Sequence, residues 1–397
     1  MNVSIPEQNA AAERMNAAVI NEVKSYLNQQ GLTQTQLAER LGVSKGQVSR
    51  LLNAPGNTKL STIVGLAAAI GKEPMLVFTD GIREAYRLPE RSPGELNEDK
   101  QPYGSGRLAN IDWNVLNSLP LLAQATAMKE DIDSRRPFSR NMEEHVLQQT
   151  LRIWNYNSNA IEGNKLTYGE TLTLLLYGIT ADGKPLRDHL DIIGHQDAVE
   201  VMLDMVKGVR SLRQTDVRQL HQIMLKQDYP QHAVTPDGRR VFRTIHVGTY
   251  KREPNHVVTF TGDKHYYAEP SAVPGLMREL LDWYVAVEEG SLHPLVQASV
   301  LHHEFVAIHP FDDGNGRIGR ILMNFVLMRG GYPPAVIPVT KRREYYESLM
   351  AADAGDYIPL TEYIGQRLIS ALDIQLATAR GEDIGGSKWD TPDDDPR

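Results

Sequence analysis

The chain has 397 residues, more than one ordinary domain holds, so two or three domains are expected. Its 41% hydrophobic and 23% charged content is ordinary for a globular protein. A net charge of −8 argues against wholesale coating of nucleic acid yet leaves room for a local basic face. There is no cysteine, which excludes disulfides, thiolate metal sites and cysteine nucleophiles. The first residues lack the basic and apolar regions of a signal peptide, and no 18-residue apolar run occurs, so a cytoplasmic chain that spans no membrane is expected.

Residues 1–80 read as short helices with tight turns. In LTQTQLAERLGVSKGQVSRLLN, from Leu32 to Asn53, Leu37, Ala38 and Leu41 form an apolar stripe. Gly42 makes the turn, Ser44 caps the next helix, and Val48, Leu51 and Leu52 face inward. Lys45, Gln47, Ser49 and Arg50 are left outward. This stretch resembles the helix-turn-helix of the lambda-repressor and Cro family. The resemblance implies that Ser44–Leu52 is a recognition helix and that Gln34 opens the preceding helix near a phosphate. Between residues 33 and 59, Arg40, Lys45, Arg50 and Lys59 face Glu39 alone. That cationic surplus suits phosphate contacts, and Gln or Arg suits base edges, so a DNA operator is an expected partner. A small bundle used only for protein contacts is the alternative.

Residues 81–112 are rich in Pro, Gly and charge, a linker composition. Helical spacing returns over 113–378. One run ends in SNAIEG, where Ser158 and Glu162, four apart, share a helix face and Gly163 stops the helix. Residues 188–206 and 215–227 continue as helices. VFRTIHVGTY and HVVTFTG then alternate as strands do, with KREPN between them. Residues 379–397 are acidic and patternless, a disordered tail by composition.

The richest stretch is HPFDDGNGRIGR, His309 to Arg320. A helical run precedes it, with Val296, Val300, Phe305 and Ile308 on one face, and Pro310 cannot continue that helix. Gly314-Asn315-Gly316 opens a second helix, which makes an anion cradle of free N–H groups. Arg317 and Arg320 lie on one face of its first turn, where cations disfavour the dipole unless an anion is bound. With a histidine to take a proton and Asp313 to hold a metal, the parts suit phosphoryl or nucleotidyl transfer.

The stretch matches the signature HxFx(D/E)GNGRxxR of the Fic family at each fixed position, and Ser158–Gly163 matches that family's inhibitory motif (S/T)xxxE(G/N). The resemblance implies a mainly α protein: a helix-turn-helix bundle joined to an all-helical Fic domain with a β-hairpin flap at 241–260. By the same resemblance His309 would be the general base, and Asp313 would hold Mg²⁺. Gly314, Asn315, Gly316, Arg317 and Arg320 would bind the phosphates of ATP. Tyr346 and Asp353 fall where the family approaches adenine, with aspartate in place of asparagine. The implied activity is transfer of AMP from ATP to a Ser, Thr or Tyr hydroxyl of a protein, the chain itself included, by a homodimer. Ser158, Glu162 and Gly163 would restrain it through Arg320, and Glu162 would align a water for removing AMP. A transcriptional regulator whose Fic part senses a nucleotide, and transfer of UMP, GMP or phosphocholine, stand as alternatives.

Overall fold

The computed structural model describes residues 23–24, 27, 33–41, 43–53, 106–136, 140–234, 240–258 and 264–382. Two compact units divide the chain between Leu96 and Asn97. Among the described residues, no helix is long and apolar enough to cross a membrane.

The N-terminal unit contains α1, Gln34–Leu41, and α2, Lys45–Asn53. Leu37, Ala38, Val48 and Leu52 are buried together with Val23 and Leu27, which is the core that the spacing predicts. Two capping boxes set the helix starts. Thr33 and Gln36 exchange bonds before α1, and Ser44 and Gln47 do so before α2. Gln47 is exposed, and its amide oxygen accepts from the Ser44 N–H and hydroxyl. Ser49 is half-buried, unlike the outward placement expected, because it lies beside Val48 on the turn that packs inward. Lys45 is exposed. The predicted helix at 60–71 and the side chain of Arg50 lie outside the described residues.

The larger unit begins with a 3₁₀ turn, Arg107–Asn110, within the stretch read as linker. The Arg107 guanidinium donates to the carbonyls of Ala352 and Asp353, so charge satisfied by buried partners orders a segment whose composition suggests none. Helices α3 (Trp113–Asn117), α4 (Pro120–Ser134), α5 (Arg140–Ile161), α6 (Tyr168–Tyr177), α7 (Leu186–Lys207) and α8 (Gln214–Leu225) follow. After two hairpins come α9 (Val273–Glu288), α10 (Pro294–Ile308), α11 (Asn315–Arg329), α12 (Arg342–Asp353) and α13 (Ile358–Ala379).

Helices α10 and α11 form the centre of this unit. Nearly every residue of α10 is buried, polar ones included, so its apolar face is not a stripe but the whole circumference. The two helices approach closely at Gly319: a Cβ there would sit 2.9 Å from Val306 Cγ2 and 3.1 Å from His302 Nδ1. Phe305, Phe325, Ile318 and Leu322 fill the remaining contact, and each buried side chain of this size contributes roughly 2–3 kcal/mol. The signature loop is the link between this pair, so the site stands on two deeply buried helices.

The strands form two antiparallel hairpins. Strand β1 (Tyr229–Val234) pairs with β2 (Arg240–Ile245), and β3 (His256–Val258) pairs with β4 (Lys264–Tyr266). This corrects the single hairpin expected at 241–260: β2 and β3 each pair with a neighbour that carries no clear alternation. The intervening segment is instead tied to the signature. Lys251 N donates to Pro310 O at 2.8 Å, Asn255 Nδ2 to Phe311 O at 3.3 Å, and Arg243 pairs with buried Asp312. One backbone and one side-chain contact thus fasten the segment between β2 and β3 along the signature.

Candidate active site

Helix α10 ends at His309, whose φ of 51° and ψ of 61° are left-handed. Such a conformation costs a non-glycine residue about 1 kcal/mol, and Pro310 prevents relaxation into helix. The His309 ring stacks on Tyr267, with centroids 3.8 Å apart at 13°. Its Nδ1 lies 3.3 Å from Val306 O. A carbonyl only accepts, so Nδ1 carries the hydrogen and the lone pair of the neutral ring is on Nε2.

Phe311 is fully buried, flat against His221 with centroids 3.8 Å apart. Asn315, 2% exposed, closes the loop: its Oδ1 accepts from Phe311 N and its Nδ2 donates to Phe311 O, both at 2.9 Å. Both groups of the Asn315 side chain are thus engaged by the loop itself. The sharp turn leaves Phe311's backbone without a helical partner, and the amide satisfies both groups. Gly314, with φ of 78°, makes the turn that a Cβ would block, since Met224 Cε would lie 2.7 Å away.

The acid and the two arginines of the signature each have partners. Asp313 Oδ1 accepts from Gly314 N at 2.6 Å, and Oδ2 accepts the Tyr229 hydroxyl. Burial opposes its charge, but Arg317 and these bonds hold its pKa below the ordinary carboxylate value. Arg317, nearly buried, pairs with Asp191 at 3.1 Å and lies 3.7 Å from Asp313. Asp191 also holds Arg187 at 2.9 Å, and the Arg187 guanidinium covers the Tyr229 ring at 3.7 Å. Burial works against the Arg317 charge, yet Asp191 and Asp313 keep its pKa raised.

Arg320, 1% exposed, reaches the end of α5. Its Nε donates to Ser158 Oγ at 3.0 Å, and its Nη2 donates to Ser158 O and to Glu162 Oε1, both at 2.8 Å. The Glu162 carboxylate, 35% exposed at the side chain, overhangs the first turn of α11: a Cβ on Gly316 would come within 2.3 Å of Glu162 Oε1. A carboxylate thus occupies the N-terminal end of α11, where the dipole favours an anion. Gly163, at φ of 91°, turns the chain immediately after Glu162.

The wall beyond His309 is built by α12. Tyr346 is half-buried with Arg342 over its ring at 5.2 Å. Asp353 accepts from His303 Nε2 at 2.9 Å, and His303 Nδ1 meets Glu304 at 3.0 Å. His303 is therefore held between two carboxylates, and His302 meets Tyr345 Oη at 2.7 Å, so both neighbours of the site are committed to structure. Burial first, then the charges of Asp353, Tyr346 and Glu162, push up the pKa of the Tyr267 hydroxyl, whose ring stacks on His309.

Among the described residues, no cluster of three or more acids or histidines could cage a metal alone. Asp313 offers one hard oxygen donor set, 32% exposed at the side chain, whose chemistry fits a Mg²⁺ ion shared with nucleotide phosphates. The structure brings His309, Asp313, Gly314, Gly316, Arg317, Arg320, Ser158 and Glu162 together at one helix junction. Asp191, Tyr229, His221 and Tyr267 complete it and carried no sequence signal, being single polar residues within helices or beside short strands.

Residues 211–327 match the Fic/DOC family profile and residues 23–76 a helix-turn-helix profile. The protein adenylyltransferase fic-1 of Caenorhabditis elegans is 30% identical over 223 residues, 56% of this chain and 40% of that protein. Protein adenylyltransferase Fic of Drosophila willistoni is 33% identical over 221 residues, 56% of this chain and 41% of that protein. The chain thus spans about two-fifths of the length of these curated relatives. A crystal structure of a Fic domain-containing signaling protein from Bacteroides thetaiotaomicron superposes with a TM-score of 0.60 at 33% identity, over 66% of this chain and 98% of that one. With the helix junction, its two arginines and their acidic partners in place, this chain belongs to the Fic/DOC family.

Proposed function

We propose that this protein is a protein adenylyltransferase that moves AMP from ATP to a protein hydroxyl, its own included. The observation that carries the reading is the left-handed His309, held at the end of α10 with Nδ1 turned to Val306 O, five residues ahead of the Gly314 turn that opens α11. The target oxygen would attack the α-phosphorus while His309 Nε2 takes its proton, and the bond to pyrophosphate breaks with the electron pair leaving on the pyrophosphate. The amides of Gly314 and Gly316 and the Arg317 guanidinium would stabilise the phosphate charge, and Arg320 would take the γ-phosphate. Asp313 would hold Mg²⁺, which would supply charge neutralisation to the phosphates when bound. The edge of the β1–β2 hairpin suits capture of an extended target segment by backbone pairing.

Restraint follows from the same geometry. While Glu162 holds Arg320, the γ-phosphate lacks its cation, and ATP that enters is turned out of line for attack. The helix-turn-helix unit is proposed to bind an operator as a homodimer, supported by exposed Lys45 and the cationic surplus of its second helix. The test is incubation of the purified protein with Mg²⁺ and each α-labelled nucleoside triphosphate in turn, followed by mass spectrometry of the protein. A mass increment of one adenylyl group from ATP is expected. Labelling from UTP or GTP in its place would redirect the assignment to another nucleotide.

A further inference from the structure

Asp313 is gripped from two sides by residues outside the signature. Its backbone carbonyl lies 3.0 Å from His221 Nε2, on α8, and its carboxylate Oδ2 accepts the hydroxyl of Tyr229, the first residue of β1. The His221 tautomer is forced by its partners. Nε2 faces a carbonyl and must carry the hydrogen, while Nδ1 accepts the Gly248 N–H at 2.9 Å.

The arrangement resolves a competition. Arg317 Nη2 lies 3.7 Å from Asp313 Oδ2, beyond hydrogen-bond range, while Asp191 takes Arg317 at 3.1 Å. Without the Tyr229 hydroxyl, Asp313 would be free to swing into a direct pair with Arg317 four residues on, and each would be withdrawn from a ligand. A carboxylate oxygen has two lone pairs, so the hydroxyl occupies one and leaves the other for a cation.

We propose that Tyr229 and His221 are positioning residues that hold Asp313 in its ligand-ready rotamer and join that acid to the β1–β2 hairpin. The proposal rests on the reading of Asp313 as the magnesium carboxylate. Since Tyr229 opens β1 and the Arg187 guanidinium covers its ring, a change at the acid is transmitted to the strand proposed to capture the target.

The test measures Mn²⁺ binding by electron paramagnetic resonance to full-length protein saturated with a non-hydrolysable ATP analogue, beside analogue binding in chelator. Tyr229→Phe should weaken Mn²⁺ by about 10-fold or more, the usual loss for an outer partner of a ligating group, with analogue affinity in chelator and melting temperature unchanged. His221→Gln, whose amide can still donate at the ε position, should keep Mn²⁺ affinity within a few-fold. His221→Asn, which cannot reach Asp313, should lose as much as Tyr229→Phe. Wild-type Mn²⁺ affinity in Tyr229→Phe overturns the proposal, as does equal loss in both His221 variants accompanied by equal drops in melting temperature. Asp313→Ala separates the two levels: if only this variant loses Mn²⁺, the metal reading stands and the positioning role falls. If Asp313→Ala binds Mn²⁺ like wild type, the metal reading fails and takes the positioning role with it.

Discussion

Arg320 Nη2 and Glu162 Oε1 lie 2.8 Å apart although 158 positions separate the residues in the chain. Glu162 follows the last residue of α5 and Arg320 lies in the second turn of the signature helix, so the pair bridges two helices. Glu162→Gly removes this carboxylate without touching the Ser158 bonds to Arg320. Self-labelling by ATP should rise at least several-fold, with ATP affinity little changed, because the fault removed is one of orientation. Equal labelling of wild type and Glu162→Gly at matched Mg²⁺ and ATP would sink the control assigned to Glu162.

His309→Ala deletes the base and leaves the cradle intact. In the Glu162→Gly background it should lower the rate of label transfer by 10²–10⁴-fold while ATP binding persists, as loss of a general base does. Calorimetric ATP binding alongside single-turnover labelling measures both halves. Transfer at the parental rate would show that another group takes the proton.

Asn315→Ala should act through stability. It strands the buried N–H and C=O of Phe311, a loss of roughly 2–4 kcal/mol by the usual cost of orphaned buried groups. Thermal or urea unfolding would register this directly. A variant as stable as wild type yet weak in ATP binding would assign the phosphate contact to Asn315.

His303 ties stability to pH. Burial opposes its charge, but bonds to Asp353 and Glu304 outweigh burial and raise its pKa above the ordinary 6.5. The sign follows from linkage: the folded state binds the proton more tightly, so the stabilisation is fully present below about pH 6.5 and is lost as pH climbs through the folded value. The melting temperature of wild type should exceed that of His303→Gln at acidic pH, and the gap should shrink towards alkaline pH. A gap that widened with pH would show that His303 is neutral in the fold.

In the N-terminal unit, Gln47→Ala should lower stability by roughly 1 kcal/mol, since Gln47 completes the capping box of α2. Lys45→Ala should weaken DNA binding uniformly across sequences and reduce the salt slope by about 1. Selection from a random DNA pool followed by salt titration checks both. A change in the selected sequence on replacing Gln47 would assign it to base reading.

Residues close in the chain carried their own meaning. His309, Asp313 and the paired arginines are legible because Pro310, the glycines and the helical register act within a few bonds, and Leu37, Val48 and Leu52 are legible because burial has a period. The Ser158–Glu162 face could be read too, and the family resemblance set it against Arg320, where the fold supplies the 2.8 Å contact. Asp191, Tyr229 and His221 were silent, since a lone polar residue in a helix or at a strand's start has no spacing to betray its partner. The strand partners were misjudged for a related reason: β2 and β3 pair with neighbours whose sequence does not alternate, while the segment between them is tied to the signature through Lys251 and Asn255. Asn315 and Gln47 show the same limit, because a short polar side chain serves ligand or backbone according to which groups nearby are buried without partners. The sequence by itself determined the two domains, the helix junction and the chemistry its residues can perform. Tertiary structure alone decided which charges neutralise one another, because Coulomb and hydrogen-bond energies depend on distance through space and desolvation, neither of which is written in chain order.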